Sequence, residues 1–326
     1  NRGDPGLRKA IARYVARQFG AEYDWDREIL VTVGVSEAID IALRTIVNPG
    51  DEVIYHEPCF VSYRPSIILA GGTPVCVETR REDQFRLTRP MLEKAVTKKT
   101  RVLMLNFPCN PTGAVLAKSD VEDIADFCIR HDLLLLTDEI YAELTYDSKH
   151  VSFVSVPGMK ERTIFLHGMS KAWAMTGFRI GYACAPAEIS ENMMKLHQYA
   201  IMSAPTTGQM AAAEALERGD EAVAAMLGEY NRRRNYLIAS FADMKVSCHT
   251  PAGAFYAFPY IGDLGVSSED FAMRFLEEQS VAVVPGDAFG KSGAGFLRCA
   301  YATSMENIRE AMKRMAIFVA NIRAER

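Results

Sequence analysis

The chain reads as an α/β protein: a large domain with a seven-stranded, mainly parallel sheet between helices, followed by a smaller α+β C-terminal domain. Three observations carry this reading. Seven short apolar runs, at 30–33, 52–55, 74–77, 102–105, 133–137, 163–166 and 181–184, are mostly separated by helical patterns, as crossover connections require. Three of the runs end in polar clusters, as strands of an open parallel sheet do where they face a ligand crevice. Beyond an amphipathic stretch at 220–244 the alternation thins.

Taken in order, Asp4 before Pro5 is an N-cap with proline at the first helical position, and Leu7, Ile11 and Val15 recur on one face until Gly20. Crossover helices follow at 36–47, 91–96 and 119–130. The helix at 220–244 carries Ala224, Met226, Leu227, Tyr230, Tyr236 and Leu237, and the domain boundary is placed inside it. Residues 1–235 are expected to form the large domain and 236–326 the small one. In the small domain the pattern predicts strands at 253–259, 281–284 and 295–300 and helices at 268–278 and 304–322.

Composition narrows the function classes. A chain of 326 residues buries roughly 75% of the surface its unfolded form exposes, so no covalent staple is needed. Seven cysteines, an odd number without paired spacing, sit mostly in apolar runs such as Val75-Cys76-Val77 and Tyr182-Ala183-Cys184. They read as reduced core thiols of a cytoplasmic protein. A net charge of −4, with Arg232-Arg233-Arg234 as the only basic cluster, argues against a nucleic-acid partner. That triplet reads as the solvated face of a helix. No apolar run reaches the roughly 18 residues of a membrane span. The chain opens at Asn1-Arg2-Gly3 without an initiator methionine, which leaves a targeting segment an open question.

Two motifs fail on spacing. The segment from Gly286 to Ser292 has one residue too few between its glycines for a phosphate-binding P-loop, and no Gly-x-Gly-x-x-Gly follows the first strand. The six histidines show no metal-ligand spacing. His167 reads as packing.

Lys171 is the focal residue. It follows the strand at 163–166 within His167-Gly168-Met169-Ser170-Lys171-Ala172-Trp173-Ala174-Met175-Thr176-Gly177-Phe178-Arg179. A free lysine titrates near about 10.4, so a nucleophilic one needs burial or a cationic neighbour, for which Arg179 is a candidate. Thr137-Asp138-Glu139-Ile140-Tyr141 and Asn110-Pro111-Thr112-Gly113 close two other strands. The parallel sheet brings an acid, a phenol, an amide and a lysine to one crevice. Gly34-Val35-Ser36 follows the first strand, where a helix N-terminus offers free amides to an anion. Arg298 interrupts the apolar strand at 295–300 and needs an anion, either a ligand or an acid of the small domain.

From Gly3 to the C-terminal helix these motifs resemble those of the class I/II aminotransferases, the fold type I, aspartate aminotransferase-like enzymes that use pyridoxal 5'-phosphate (PLP). The resemblance implies seven strands in the large domain and a PLP-dependent aminotransferase. Such an enzyme moves an amino group from an L-amino acid to a 2-oxo acid by a ping-pong mechanism through an aldimine on Lys171. It implies that Asp138 pairs with the pyridine nitrogen, Tyr141 and Asn110 bond the phenolic oxygen, and Phe60 stacks on the ring. Val35, Ser36 and Arg179 would hold the phosphate, and Arg298 the substrate carboxylate, with Asn110 also among the substrate-binding residues. Many members carry a hydroxyl residue three positions before the lysine, where this chain has Gly168, and Ser170 is the candidate substitute. Members form homodimers with shared sites, and a tyrosine that reaches the partner's phosphate would lie upstream of Asn1.

Two other functions share these residues. A PLP-dependent lyase or decarboxylase would use the same Lys171, Asp138 and Arg298. A ligand-sensing regulator with an aminotransferase-like domain would need a DNA-binding extension, and none is visible in the sequence. The substrate pocket is expected from the N-terminal segment, residues near Tyr63 and a partner-chain loop at 203–206. Aspartate, alanine, aromatic and larger dibasic or acylated donors all remain open, with glutamate and 2-oxoglutarate as the second pair.

Overall fold

The computed structural model describes residues 1–325. Its first helix, α1 (Pro5–Phe19), starts where Asp4 accepts the Leu7 N–H at 3.0 Å and ends at Gly20, whose left-handed φ of 70° lets its N–H close on Ala16. There follow β1 (Ile29–Val33), α2 (Gly34–Ile46), β2 (Glu52–Glu57), α3 (Tyr63–Leu69), β3 (Thr73–Glu78), α4 (Arg89–Glu93), β4 (Thr100–Asn106), α5 (Lys118–Arg130), β5 (Leu134–Asp138), β6 (Thr163–Gly168) and β7 (Ile180–Cys184). The seven strands form one sheet in the order β1-β7-β6-β5-β4-β2-β3. Only β7 runs against the others, pairing antiparallel with both β6 and β1.

The apolar runs are continuous because both faces of this sheet are covered. Successive residues feed opposite cores: Val53, Val102, Leu136 and Ile164 face α2 and α6 (Ala187–Ala200), while Ile54, Leu103 and Leu135 face α4 and α5. At the other end of the second face, Val31, Phe165 and Tyr182 pack on α1 and α7 (Thr206–Arg218).

The chain then runs through α8 (Asp220–Asp243) into β8 (Ser247–Cys248), β9 (Tyr256–Ala257), β10 (Pro259–Tyr260), α9 (Ser268–Gln279), β11 (Val284–Pro285), β12 (Leu297–Ala300) and α10 (Met305–Ala324). Val223 of α8 belongs to the α1 core, while Leu237 and Phe241 belong to a separate core with Phe271, Phe275 and Phe318.

Several expectations need correction. The helix expected at 36–47 begins two residues earlier, at Gly34, so Ser36 lies inside its first turn. The helix expected at 91–96 is the shorter α4. The strand expected at 253–259 is split: β9 pairs with β12 and β10 with β8, and the chain changes sheets at Phe258. Pro259 has no N–H with which to continue the first ladder. Of 281–284 only Val284 pairs, opposite Arg298. Cys76 is exposed because β3 is an edge strand. Arg234 is 5% exposed, and its guanidinium binds both Asp147 oxygens at 2.7 and 3.1 Å and the Pro251 carbonyl at 2.9 Å. The arginine triplet is therefore not a wholly solvated face.

Candidate active site

The parallel register sets the geometry. Asn106 of β4 lies opposite Asp138 of β5, and Asp138 opposite Leu166 of β6, so the last residues of β4 and β5 stand level with each other and two residues short of the end of β6. Asn106 fastens two of these ends. Its Nδ2 donates to the Asp138 carbonyl at 2.8 Å, and its Oδ1 accepts the Asn110 N–H at 3.1 Å. Above them is a cavity of about 290 Å³. It is lined by all ten residues singled out in the sequence: Val35, Ser36, Phe60, Asn110, Asp138, Tyr141, Ser170, Lys171, Arg179 and Arg298. A larger cavity of about 550 Å³ lies between α1 and α8, but its buried carboxylate, Glu143, is already engaged by Tyr14 and His167.

Asp138 is buried at the floor. Tyr63 donates to its Oδ2 at 2.7 Å and the Ile140 N–H to its Oδ1 at 3.2 Å. Burial lifts its carboxyl to about 6, against the opposing pull of those two hydrogen bonds and of the His167 and Lys171 charges. Lys171 is held below the usual lysine range chiefly by burial; Asp138 opposes this, and Arg298 and Arg179 assist it. Its Nζ stands over the Tyr141 and Phe255 rings at 5.8 and 5.7 Å. The Tyr141 hydroxyl pairs with that of Tyr256 at 3.0 Å, and burial pushes Tyr141 well above its ordinary value.

Arg298 Nη1 donates to Asn110 Oδ1 at 3.0 Å, and the guanidinium lies between the rings of Tyr256 and Phe289, at 4.6 and 4.8 Å. It forms no ion pair among the described residues, so the salt bridge considered for it is not present, and its buried Nε has no partner. Arg179 donates to the Thr176 carbonyl at 3.1 Å.

Close backbone approach puts α2 here. Gly34 has a φ of 72°, and a Cβ on it would stand 2.4 Å from Arg179 Nη2. A Cβ on Gly181 would meet Gly34 C at 2.4 Å and Val35 N at 2.5 Å, and one on Gly168 would meet Gly181 Cα at 2.9 Å. Glycine at 168 is thus a packing requirement of the β6–β7 pair. Phe60 meets Tyr63 edge-on, with centroids 5.7 Å apart, and Ser170 lines the wall, its carbonyl accepting from Thr176 at 2.9 Å. His167 is buried and stacks on Phe165 and Tyr182, as expected of a packing residue.

Sequence reasoning missed Asn106, Tyr256 and the contact from Tyr63 to Asp138. Asn106 directly follows the run at 102–105, a signal that was available. Tyr256 sat unmarked in the run at 253–259.

With this fold and cavity, the chain belongs to the aminotransferase class I and II family, whose model matches residues 1–315. It is 48% identical over 318 residues to an aspartate aminotransferase of Pyrococcus abyssi, covering 97% of this chain and 82% of that one. It is 46% identical over 312 residues to aromatic-amino-acid aminotransferase 2 of Thermococcus litoralis, with coverages of 95% and 80%. The crystal structure of an aromatic aminotransferase from Pyrococcus horikoshii OT3 superposes with a TM-score of 0.97 at 47% identity, covering 98% of this chain and 86% of that one. The protein is an aminotransferase of the aspartate aminotransferase type, and members of its family use PLP.

Proposed function

We propose that the protein holds PLP at Lys171 and transfers an amino group from an L-amino acid to a 2-oxo acid, releasing the first product before the second substrate enters. The observation that carries this reading is the charge of the cavity. Lys171, Arg179 and Arg298 face one carboxylate, Asp138, and none of the three cations forms an ion pair among the described residues. Such a cavity favours anions, and PLP and an α-carboxylate together supply them.

The donor set fits the cofactor at each end. The first turn of α2, with Val35 and Ser36, offers amides to a phosphate beside the planar fork of Arg179. Asp138, held by Tyr63, would pair with a pyridine nitrogen, and Phe60 would supply an aromatic face for the ring. Tyr141 and Asn110 supply donors for the phenolic oxygen. When bound, PLP supplies an aldehyde that accepts the amino group and a protonated ring that draws electrons from the substrate α-carbon. Lys171, with its lowered proton affinity, both holds the aldehyde and carries a proton to and from that carbon. Arg298 orients the substrate through a bidentate bond to its carboxylate.

We also place residues 236 onward in a lobe that closes over the substrate, and two copies of the chain in a homodimer. Phe178, Tyr199, Ile201, Met202 and Met210 are exposed apolar residues around the end of α6 and the start of α7, and they support a paired surface. The seven unpaired thiols support a reducing, cytoplasmic setting. No helix among the described residues is long and apolar enough to cross a membrane.

The test is a panel of amino donors with 2-oxoglutarate or pyruvate. A new amino acid must appear in step with the 2-oxo acid of the donor. Ammonia and pyruvate without a new amino acid would transfer the assignment to a lyase. Lys171→Ala should lose both borohydride-fixable cofactor and turnover; a variant that kept the fixed cofactor would point to another lysine.

A further inference from the structure

The start of α2 is held from outside the cavity. Its N-cap residue, Val33, makes no side-chain cap bond, so no cap oxygen occupies the first-turn amides, and Glu37 turns back so that its Oε2 accepts the N–H of Val33 itself at 2.5 Å. Glu37 Oε1 is bonded at 2.6 Å to Nδ1 of His197, a fully buried residue of α6 lying 160 positions away in the chain. With Glu37 as the acceptor, Nδ1 is the donor of this bond. The other ring nitrogen, Nε2, is buried without a partner. A ring that leaves one buried nitrogen unsatisfied is costly, and its Nδ1 bond is its only polar contact among the described residues.

This pair bears on the cavity through electrostatics. Glu37 sits in the first turn of a helix whose next residues inward, Val35 and Ser36, line the cavity. A carboxylate there competes with any bound anion for the free amides of that turn. With one oxygen on the Val33 N–H and the other on His197, both acceptors of that carboxylate already have partners.

Resting on the reading of a phosphate cradle at α2, we propose that His197 is a positioning residue for that cradle. By engaging Glu37 it keeps the first-turn amides of α2 available to the phosphate group of PLP. It touches neither cofactor nor substrate. Its effect therefore falls on ligands that carry the phosphate and spares those that lack it.

The experiment compares PLP with pyridoxal, which has no phosphate, by absorbance titration of the cofactor-free protein. The parent should prefer PLP. His197→Phe keeps a ring but deletes Nδ1, and it should weaken PLP by about tenfold, or roughly 1.4 kcal/mol, while pyridoxal stays within about threefold. His197→Asn, whose amide N–H reaches toward the same oxygen, should recover most of the preference. If His197→Phe is too unstable to titrate, His197→Leu makes the same comparison. Equal weakening of both ligands would make the role merely structural, and an unchanged preference for PLP would remove it altogether; either result overturns the proposal. A parent that binds both ligands alike would instead sink the phosphate cradle itself.

Discussion

At the scale of single residues, Asp138 carries the sharpest conflict between burial and charge. Burial lifts its carboxyl to about 6, against an ordinary value of 3.8. The sign follows directly. Below about pH 3.8 the group is protonated in folded and unfolded chains alike, and burial costs nothing extra. Between about pH 3.8 and 6 the unfolded chain ionises while the folded chain keeps the proton, so stability falls across that interval and the full cost of the buried anion, about 3 kcal/mol, is reached as pH passes about 6. The cofactor-free enzyme should therefore lose stability over that window, and Asp138→Asn should lose none of it. Urea denaturation of both proteins at a series of pH values should show a gap opening from near zero at low pH to about 3 kcal/mol at neutrality. Parallel profiles would mean that the Tyr63 and Ile140 bonds fully offset burial. These two partners also mark what sequence could and could not reveal. Lys171, Asp138 and Asn110 sit where strands end, and Arg298 breaks an apolar run, so each was legible. Tyr63 lies 75 residues from Asp138 and is buried among apolar neighbours, and nothing in local pattern announces its hydroxyl's partner.

Among elements, the decisive contact is that of α2 with the β6–β7 pair, where Gly34, Gly168 and Gly181 allow backbone to approach backbone. Restoring a hydroxyl residue three positions before the lysine meets this contact head-on. A Cβ at 168 would lie 2.9 Å from both Gly181 Cα and the Ile180 carbonyl oxygen. Gly168→Ser should destabilise the protein by about 1–3 kcal/mol, as overpacking does, without tightening PLP. Thermal denaturation and cofactor titration check both parts; a variant as stable as its parent and tighter for PLP would show that the strand pair yields. Elements with an apolar stripe or a clear cap, such as α1, α5 and α10, were legible from sequence. α6 and α7 were not, because their buried faces mix Met193 and Leu216 with Ser190, His197, Gly208, Gln209 and Ala212. Tertiary packing of small and polar side chains supplies no period to read.

For the whole molecule, the proposed homodimer makes the most exposed prediction. Tyr199 is 89% exposed, Met202 69% and Met210 63%, and Phe178 lies half-exposed beside Arg179. Exposed apolar side chains grouped in this way are what the proposed interface would cover. The patch also sits at the end of α6, two residues beyond the His197 that holds Glu37, so an interface there lies one hydrogen bond from the cradle at α2. Replacing Tyr199 and Met202 together by aspartate buries two charges on each side of a twofold contact, where an isologous interface doubles every substitution. Removing a single aromatic anchor costs about 2 kcal/mol, roughly thirtyfold in affinity. The double variant should therefore sediment as a monomer at concentrations where the parent is a dimer, and its turnover should fall with its dimer fraction. Sedimentation velocity and activity, measured across the same dilution series, decide it. A variant that still sediments with the parent places the interface on another face of the sheet domain.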